Sequence, residues 1–204
     1  MTPELTPGQV AELYRAFIRD LIEKCKSQAD FSFYVYLLDP DPEQGDFWES
    51  LQVEPTAQQG TDLGERMHRA FMDCFDKDFA RVVLVGSDVP MIPVQRIREA
   101  FEMLHEVEVV LGPSEDGGYY LIGLTEGNRA LFENMAWGTG TVFDRTLRVI
   151  HRLNLKAAVI EKENDIDTYQ DLQRLILETQ KADKHHFPQE APQSYALLKK
   201  IFEK

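Results

Sequence analysis

The sequence predicts a three-layer α/β/α fold, with helices on both faces of a mixed, mainly parallel sheet. Three observations carry that expectation. Short apolar runs of strand length alternate with helical patterns of about a dozen residues. The run Val82-Val83-Leu84-Val85 lacks the polar alternation of a half-exposed strand, as a strand covered on both faces requires. The apolar runs at 107–112 and 119–124 lie too close together for a crossover helix, so part of the sheet is antiparallel.

Taken in order, Thr6-Pro7-Gly8-Gln9 reads as a helix start, with Thr6 as cap, proline in the first turn and Gln9 completing a capping box. Val10, Leu13, Phe17, Leu21 and Cys25 then mark one face of a helix to about Ser27. Phe31 to Leu38 reads as a strand ended by Asp39-Pro40-Asp41-Pro42. A short helix over Phe47–Leu51 and a short strand over Gln52–Ala57 follow. Residues 59–66 lead into a helix carrying Met67, Ala70, Phe71 and Cys74. The strand at 82–86 precedes a helix from Val94 to His105, and the strand pair above precedes helices at 128–135 and 141–152. Lys156–Ile160 is the last strand and Thr168–Thr179 the last core helix. Residues 1–180 thus make one domain, and 181–204 a polar linker with a C-terminal helix from Gln193 to Phe202.

Composition bounds the function. A chain of 204 residues with 43% hydrophobic and 28% charged residues has material for a full core. Its net charge of −13 argues against a nucleic-acid or anionic-membrane surface. It leaves room for a nucleotide substrate, because a divalent cation bridges carboxylates to phosphates. Cys25 and Cys74 each sit among apolar neighbours in a helical pattern and read as buried thiols. No stretch approaches the ~20 apolar residues of a membrane span and no signal peptide opens the chain, so the expected location is cytoplasmic. The five histidines show no metal spacing.

Three acidic turns, each just past a predicted strand, suggest a site for a divalent cation and a phosphate-bearing substrate. Asp88 follows the apolar run through Gly86-Ser87, and Pro90 holds Val89 extended. A carboxylate at the carboxyl edge of such a strand can ligate a hard cation; it can equally cap the helix that follows. Asp165 and Asp167 share a face of an extended turn, where a cation would relieve their repulsion; Asp167 can instead cap the next helix. Glu115-Asp116-Gly117-Gly118 is a glycine turn whose carboxylates can bind substrate hydroxyls or act as a base, or a plain hairpin. Arg66 follows a glycine at a helix start, where a phosphate is favoured, and is also a candidate for a surface ion pair.

Together, GSDVP, LGPSEDGGYYLIGL, the Trp137-Gly138-Thr139 turn and DIDTYQDL, in that order, resemble bacterial transferases of the GT-A, nucleotide-diphospho-sugar transferase superfamily. The resemblance covers about residues 5 to 180, includes QQGTDLGERM, and is nearest to the radical-SAM/selenodomain-associated, arsenosugar-biosynthesis transferases. More distant similarity runs to phospholactate and molybdenum-cofactor guanylyltransferases. The resemblance implies Mg²⁺ or Mn²⁺ held by Asp88 and Asp167, with Asp165 beside them. It implies Asp88, Asp116 and Asp167 as catalytic carboxylates. Ser87, Glu115, Gly117, Gly118, Trp137 and Thr139 would contact substrate, with Arg66 toward phosphate.

Members of the superfamily usually begin with a further strand and a loop of the type P-x-x-G-x-x-K-T-R-L that holds the nucleotide phosphates. This chain starts at Met1-Thr2-Pro3-Glu4-Leu5, about where that loop would end, so apolar surface and unpaired backbone are expected on both neighbours of that strand. The leading expectation is glycosyl transfer from a nucleotide sugar to a small-molecule acceptor. The alternatives are nucleotidyl transfer with release of pyrophosphate, and a GT-A-shaped binding protein without catalysis. The oligomeric state is left open.

Overall fold

In a computed structural model, residues 4–41, 44–181 and 187–202 are described. The elements are α1 (Pro7–Lys26), β1 (Tyr36–Leu37), α2 (Gly45–Leu51), β2 (Thr56–Ala57), α3 (Leu63–Phe75), β3 (Val82–Val85) and α4 (Val94–Met103). There follow β4 (Val109–Pro113), β5 (Tyr119–Leu124), α5 (Val142–Arg152), β6 (Ala157–Val159), α6 (Tyr169–Lys181), α7 (Phe187–Glu190) and α8 (Pro192–Phe202). The chain divides into two units. One gathers the chain up to Ser32, Gly86–Val94 and the chain from Asn164 onward; the other holds Phe33–Val85 and Gln95–Glu163.

The second unit carries the sheet, in the order β3-β5-β4-β6. β3, β4 and β6 run one way, and β5 lies antiparallel between β3 and β4, so the sheet is mixed with one reversed strand. The 107–112 and 119–124 runs form the expected hairpin, with a register shift at Gly112/Pro113. Both faces are covered. Val109, Leu111, Ile122 and Leu124 meet Met67 and Phe71 of α3 and Ile150 of α5 on one side. On the other, Leu104, just past α4, lies so close to Gly123 that a Cβ there would sit 3.0 Å from Leu104 Cδ1. That double cover is why β4 and β5 read as continuous apolar runs.

β1 and β2 form a separate parallel pair. The expected strand from Phe31 to Leu38 thus shrinks to Tyr36–Leu37, and Gln52–Ala57 to Thr56–Ala57. Among the described residues β3 pairs on one side only, with β5, and all four of its residues are half-buried. Its apolar run therefore belongs to an edge of the four-stranded sheet rather than to its centre. The helix expected at 128–135 is a single 3₁₀ turn over Arg129–Leu131, capped by Asn128.

The first unit is helical. Its core gathers Leu13 and Phe17 of α1, Ile166, Leu172 of α6, Phe187 of α7 and Leu198 of α8. α1 begins with the reciprocal box read from the sequence: Thr6 Oγ1 accepts from Gln9 N–H at 3.3 Å, and Gln9 Oε1 accepts from Thr6 N–H at 2.9 Å. Its buried face is Leu13, Phe17, Asp20 and Ile22, so the apolar stripe is rotated from the one expected: Val10, Leu21 and Cys25 are only half-buried. Part of the expected linker folds as α7 with Phe187 fully buried. Residues 182–186 of it, with His185 and His186, lie outside the described residues. Cys74 is buried and Cys25 half-buried, and both are free thiols. Among the described residues no helix is long and apolar enough to cross a membrane.

Candidate active site

In the first unit, the acidic edge is built by two short loops. Asp88 lies two residues past Gly86, and its carboxylate folds back over that glycine: a Cβ at Gly86 would stand 2.4 Å from Asp88 Oδ1. Glycine there makes room for the carboxylate. Asp88 also gives its backbone carbonyl to the N–H of Ile166 at 3.1 Å, which ties its loop to the Asp165-Ile166-Asp167 turn. Ile166 is 1% exposed and anchors that turn in the core. The alternation of an extended turn then sends Asp165 and Asp167 the other way, and each offers a carboxylate oxygen within 4.8 Å of the other.

The competing role for Asp167, as helix cap, falls to its neighbours. Thr168 Oγ1 accepts from Asp171 N–H at 3.2 Å, and Asp171 Oδ2 accepts from Thr168 N–H at 2.8 Å, a second capping box. Asp167 donates its backbone N–H to Asp171 Oδ2 at 3.3 Å.

Tyr14 of α1 joins this edge and was not read from the sequence. Its hydroxyl pKa is raised, first by burial and then by the charges of Asp167 and Asp88. Two carboxylates from separate loops thus act on one hydroxyl. Tyr14 lies next to Leu13 on a helix whose periodicity speaks only of core, so no local signal marks it. Asp88, Asp165 and Asp167 present carboxylate oxygens, and Tyr14 adds a hydroxyl. Carboxylate oxygens are the hard donors Mg²⁺ and Mn²⁺ take; Asp165 and Asp167 offer them within 4.8 Å of each other, and Asp88 joins their turn through its backbone carbonyl.

In the second unit the glycine hairpin is braced from within. Asp116 Oδ1 accepts from the Ser114 hydroxyl and, at 2.8 Å, from Gly118 N–H. One oxygen of Asp116 is therefore committed to the turn. Gly117 has φ +85° and lies against the 138–141 loop: a Cβ would meet Gly140 O at 2.4 Å. Its own carbonyl accepts from Phe143 N–H at 3.0 Å. Gly117→Ala is expected to lose about 2–4 kcal/mol, combining left-handed strain with the clash. Urea unfolding checks this, and a loss under about 1 kcal/mol would show that the loop simply moves aside.

The other candidates in this unit are less gathered. Glu115 pairs with Lys162 at 3.3 Å, both exposed. Trp137 stands edge-on to Tyr119, with ring centroids 6.4 Å apart, and packs against the core. Its indole crowds α3, where a Cβ on Gly64 would lie 2.8 Å from Trp137 Nε1. Trp137 therefore has a packing role. Thr139 Oγ1 donates to Ala136 O at 2.7 Å and closes its own turn. Ser87, in the first unit, is exposed.

Arg66 is not poised on open helix amides. The α3 N-terminus is closed by its own acids: Asp62 accepts from Glu65 N–H at 2.8 Å, and Glu65 Oε2 accepts from Thr61 N–H at 2.9 Å. The hydrogen bond from the Thr61 backbone, then the contact with Arg69, pull the Glu65 carboxyl down to about 2. Arg66 instead lines a cleft of about 200 Å³ with Arg69, Gln59, Tyr36, Ala57 and Asp73. Arg69 escaped the sequence reading because it looked like an ordinary surface partner of Glu65, which it is, at 2.6 Å.

With this geometry in view, the comparisons are specific. Residues 21–139 match the family described as "Uncharacterized protein conserved in bacteria (DUF2064)". The chain belongs to this family. A crystal structure from Desulfovibrio desulfuricans G20, assigned to the nucleotide-diphospho-sugar transferases, superimposes on this DUF2064 protein with a TM-score of 0.82. It is 30% identical, over 95% of this chain and 83% of that one. The 2-phospho-L-lactate guanylyltransferase of Methanocaldococcus infernus is 24% identical over 85% of this chain and 76% of its own length. That of Methanothermobacter thermautotrophicus is 23% identical over 87% and 77%. The fold is thus that of the nucleotide-diphospho-sugar transferases, and the protein is of the nucleotide-using transferase kind. These relatives carry the superfamily resemblance; none carries the narrower radical-SAM-associated one.

Proposed function

We propose that this DUF2064 protein is a cation-dependent nucleotidyltransferase, moving a nucleoside monophosphate from a nucleoside triphosphate to a small acceptor and releasing pyrophosphate. The observation that supports it most is similarity to two guanylyltransferases over 85% and 87% of this chain, together with the Asp165–Asp167 carboxylate pair whose turn is tied to the Asp88 carbonyl. The similarity moves the reading from the glycosyl transfer expected from the sequence to its nucleotidyl alternative, and makes GTP the donor to test first.

Asp88 and Asp167, with Asp165, would hold the cation, whose chemistry is to neutralise the diphosphate of the donor and of the departing pyrophosphate. An acceptor oxygen attacks the α-phosphorus; its bond to phosphorus forms as the bond to the bridging α–β oxygen breaks, and that oxygen leaves with pyrophosphate. The acceptor proton passes to a carboxylate base, a role for which Asp116 or Asp167 is proposed. Tyr14, whose hydroxyl pKa burial and the charges of Asp167 and Asp88 raise, stays protonated beside that acidic edge. Arg66 is proposed to meet donor phosphate, and Ser87, Glu115, Gly117, Gly118, Trp137 and Thr139 to shape the donor or acceptor contacts.

The Desulfovibrio relative favours one second reading, glycosyl transfer from a nucleotide sugar. A single assay separates the two. The protein is incubated with Mn²⁺, nucleoside triphosphates, sugar nucleotides and a panel of small phosphorylated acids. Release of pyrophosphate is the expected result; release of a nucleoside diphosphate from a sugar nucleotide would replace this reading by the second.

A further inference from the structure

Lys24 sits in the last turn of α1 with a side chain only 8% exposed, and its ammonium has three acceptors for its three protons. Nζ donates to Pro90 O at 3.1 Å and to Ile92 O, and it pairs with Glu190 Oε2 at 3.1 Å. Burial lowers the Lys24 pKa and the Glu190 carboxylate opposes that shift. A buried cation is costly unless its partners are well placed, and here two of the three are main-chain carbonyls of one loop.

That loop is the one that carries Asp88. It leaves β3 at Val85, turns through Val89–Ile92, where Ile92 N–H donates to Val89 O at 3.2 Å, and enters α4 at Val94. Val89 and Ile92 are fully buried. One end of the loop is tied by Asp88 O to Ile166 N–H. The other end is tied by Lys24. The third partner of the ammonium, Glu190, closes α7 in the C-terminal segment.

We infer that Lys24 is a positioning residue for Asp88, fixing the 88–92 loop through its carbonyls, with Glu190 holding the ammonium toward that loop. The inference rests on the proposed reading of Asp88 as a cation ligand. A carboxylate ligand binds a cation well only when its loop is already in place, and losing a partner that orients a ligand typically costs about 10- to 100-fold in metal affinity. A lysine suits the task because a compact ammonium can serve two carbonyls and a carboxylate from one atom.

The test uses the full chain and two readouts, Mn²⁺ titration by calorimetry and hydrogen exchange of the 86–92 amides. Lys24→Met is expected to speed exchange in 86–92 and to weaken Mn²⁺ binding about 10- to 100-fold. Thr6→Ala, which weakens the α1 cap without touching the loop, is expected to leave both readouts at parental values. If Lys24→Met does not fold, Glu190→Gln, which keeps an acceptor and removes the charge, is expected to move both readouts the same way by less. Parental exchange in 86–92 or parental Mn²⁺ affinity in the folded lysine variant overturns the inference, as does a loss no greater than that of Thr6→Ala. Asp88→Asn separates the two claims. Unchanged Mn²⁺ affinity in Asp88→Asn refutes the cation reading itself, whereas a loss there with none in Lys24→Met refutes only the positioning role.

Discussion

Asp88→Asn is expected to fold as the parent does and to lose about 10³-fold in kcat/KM. Asparagine matches aspartate in shape, so the close fit over Gly86 survives, and the Asp88 carbonyl still accepts from Ile166 N–H. What disappears is the negative charge that Asp88 is proposed to offer the cation together with Asp165 and Asp167. Stabilisation of phosphate charge through a bound cation amounts to several kcal/mol, and about 4 kcal/mol at ~1.4 kcal/mol per decade gives the thousandfold figure. Steady-state kinetics at saturating Mn²⁺ check it, with circular dichroism to show the fold intact. Turnover within about threefold of the parent would remove Asp88 from the chemistry.

The largest effect on stability is expected from Asp20→Ala. Asp20 is 3% exposed and joins α1 to the start of α8. Its carboxylate accepts from Gln193 N–H at 3.1 Å, from Ser194 N–H at 2.8 Å and from the Ser194 hydroxyl at 2.5 Å. These first-turn N–H groups have no intrahelical acceptor, and a carboxylate at a helix N-terminus also meets the favourable end of the dipole. Alanine leaves buried donors unsatisfied, at about 1–3 kcal/mol for each such group, and the summed loss should be about 3–4 kcal/mol. Against the ~5–15 kcal/mol that holds a typical domain, that is a large share. Urea denaturation should show an earlier midpoint with little change in slope. A loss below about 1 kcal/mol would mean that water or a shifted α8 replaces the carboxylate.

Asp20 also shows why part of this structure was not legible in the sequence. Its partners lie 173 and 174 positions away, and nothing around it distinguishes a buried helix-capping aspartate from a solvated one. Lys24, Tyr14 and Arg69 escaped for the same reason: each acquires its role from chain distant in sequence or from a cleft wall, not from local pattern. Local chemistry was read well. The Thr6–Gln9 box, the β4–β5 hairpin and the order of helices and strands follow from spacing and turn residues alone. The lengths of the first two strands were not, because apolar runs such as Phe31–Leu38 do not reveal how much of them finds a neighbour. At the acidic edge, motif order pointed to Asp88, Asp165 and Asp167, whereas the capping box of Thr168 and Asp171 beside them was not read from it.

Titration calorimetry with GTP, with and without Mn²⁺, beside the same titrations with sugar nucleotides, bears most directly on the proposed function. The expected result is Mn²⁺-dependent binding of the triphosphate that is lost in Asp88→Asn. Binding of a sugar nucleotide with no response to GTP, or GTP binding indifferent to Mn²⁺ and to Asp88, would contradict it.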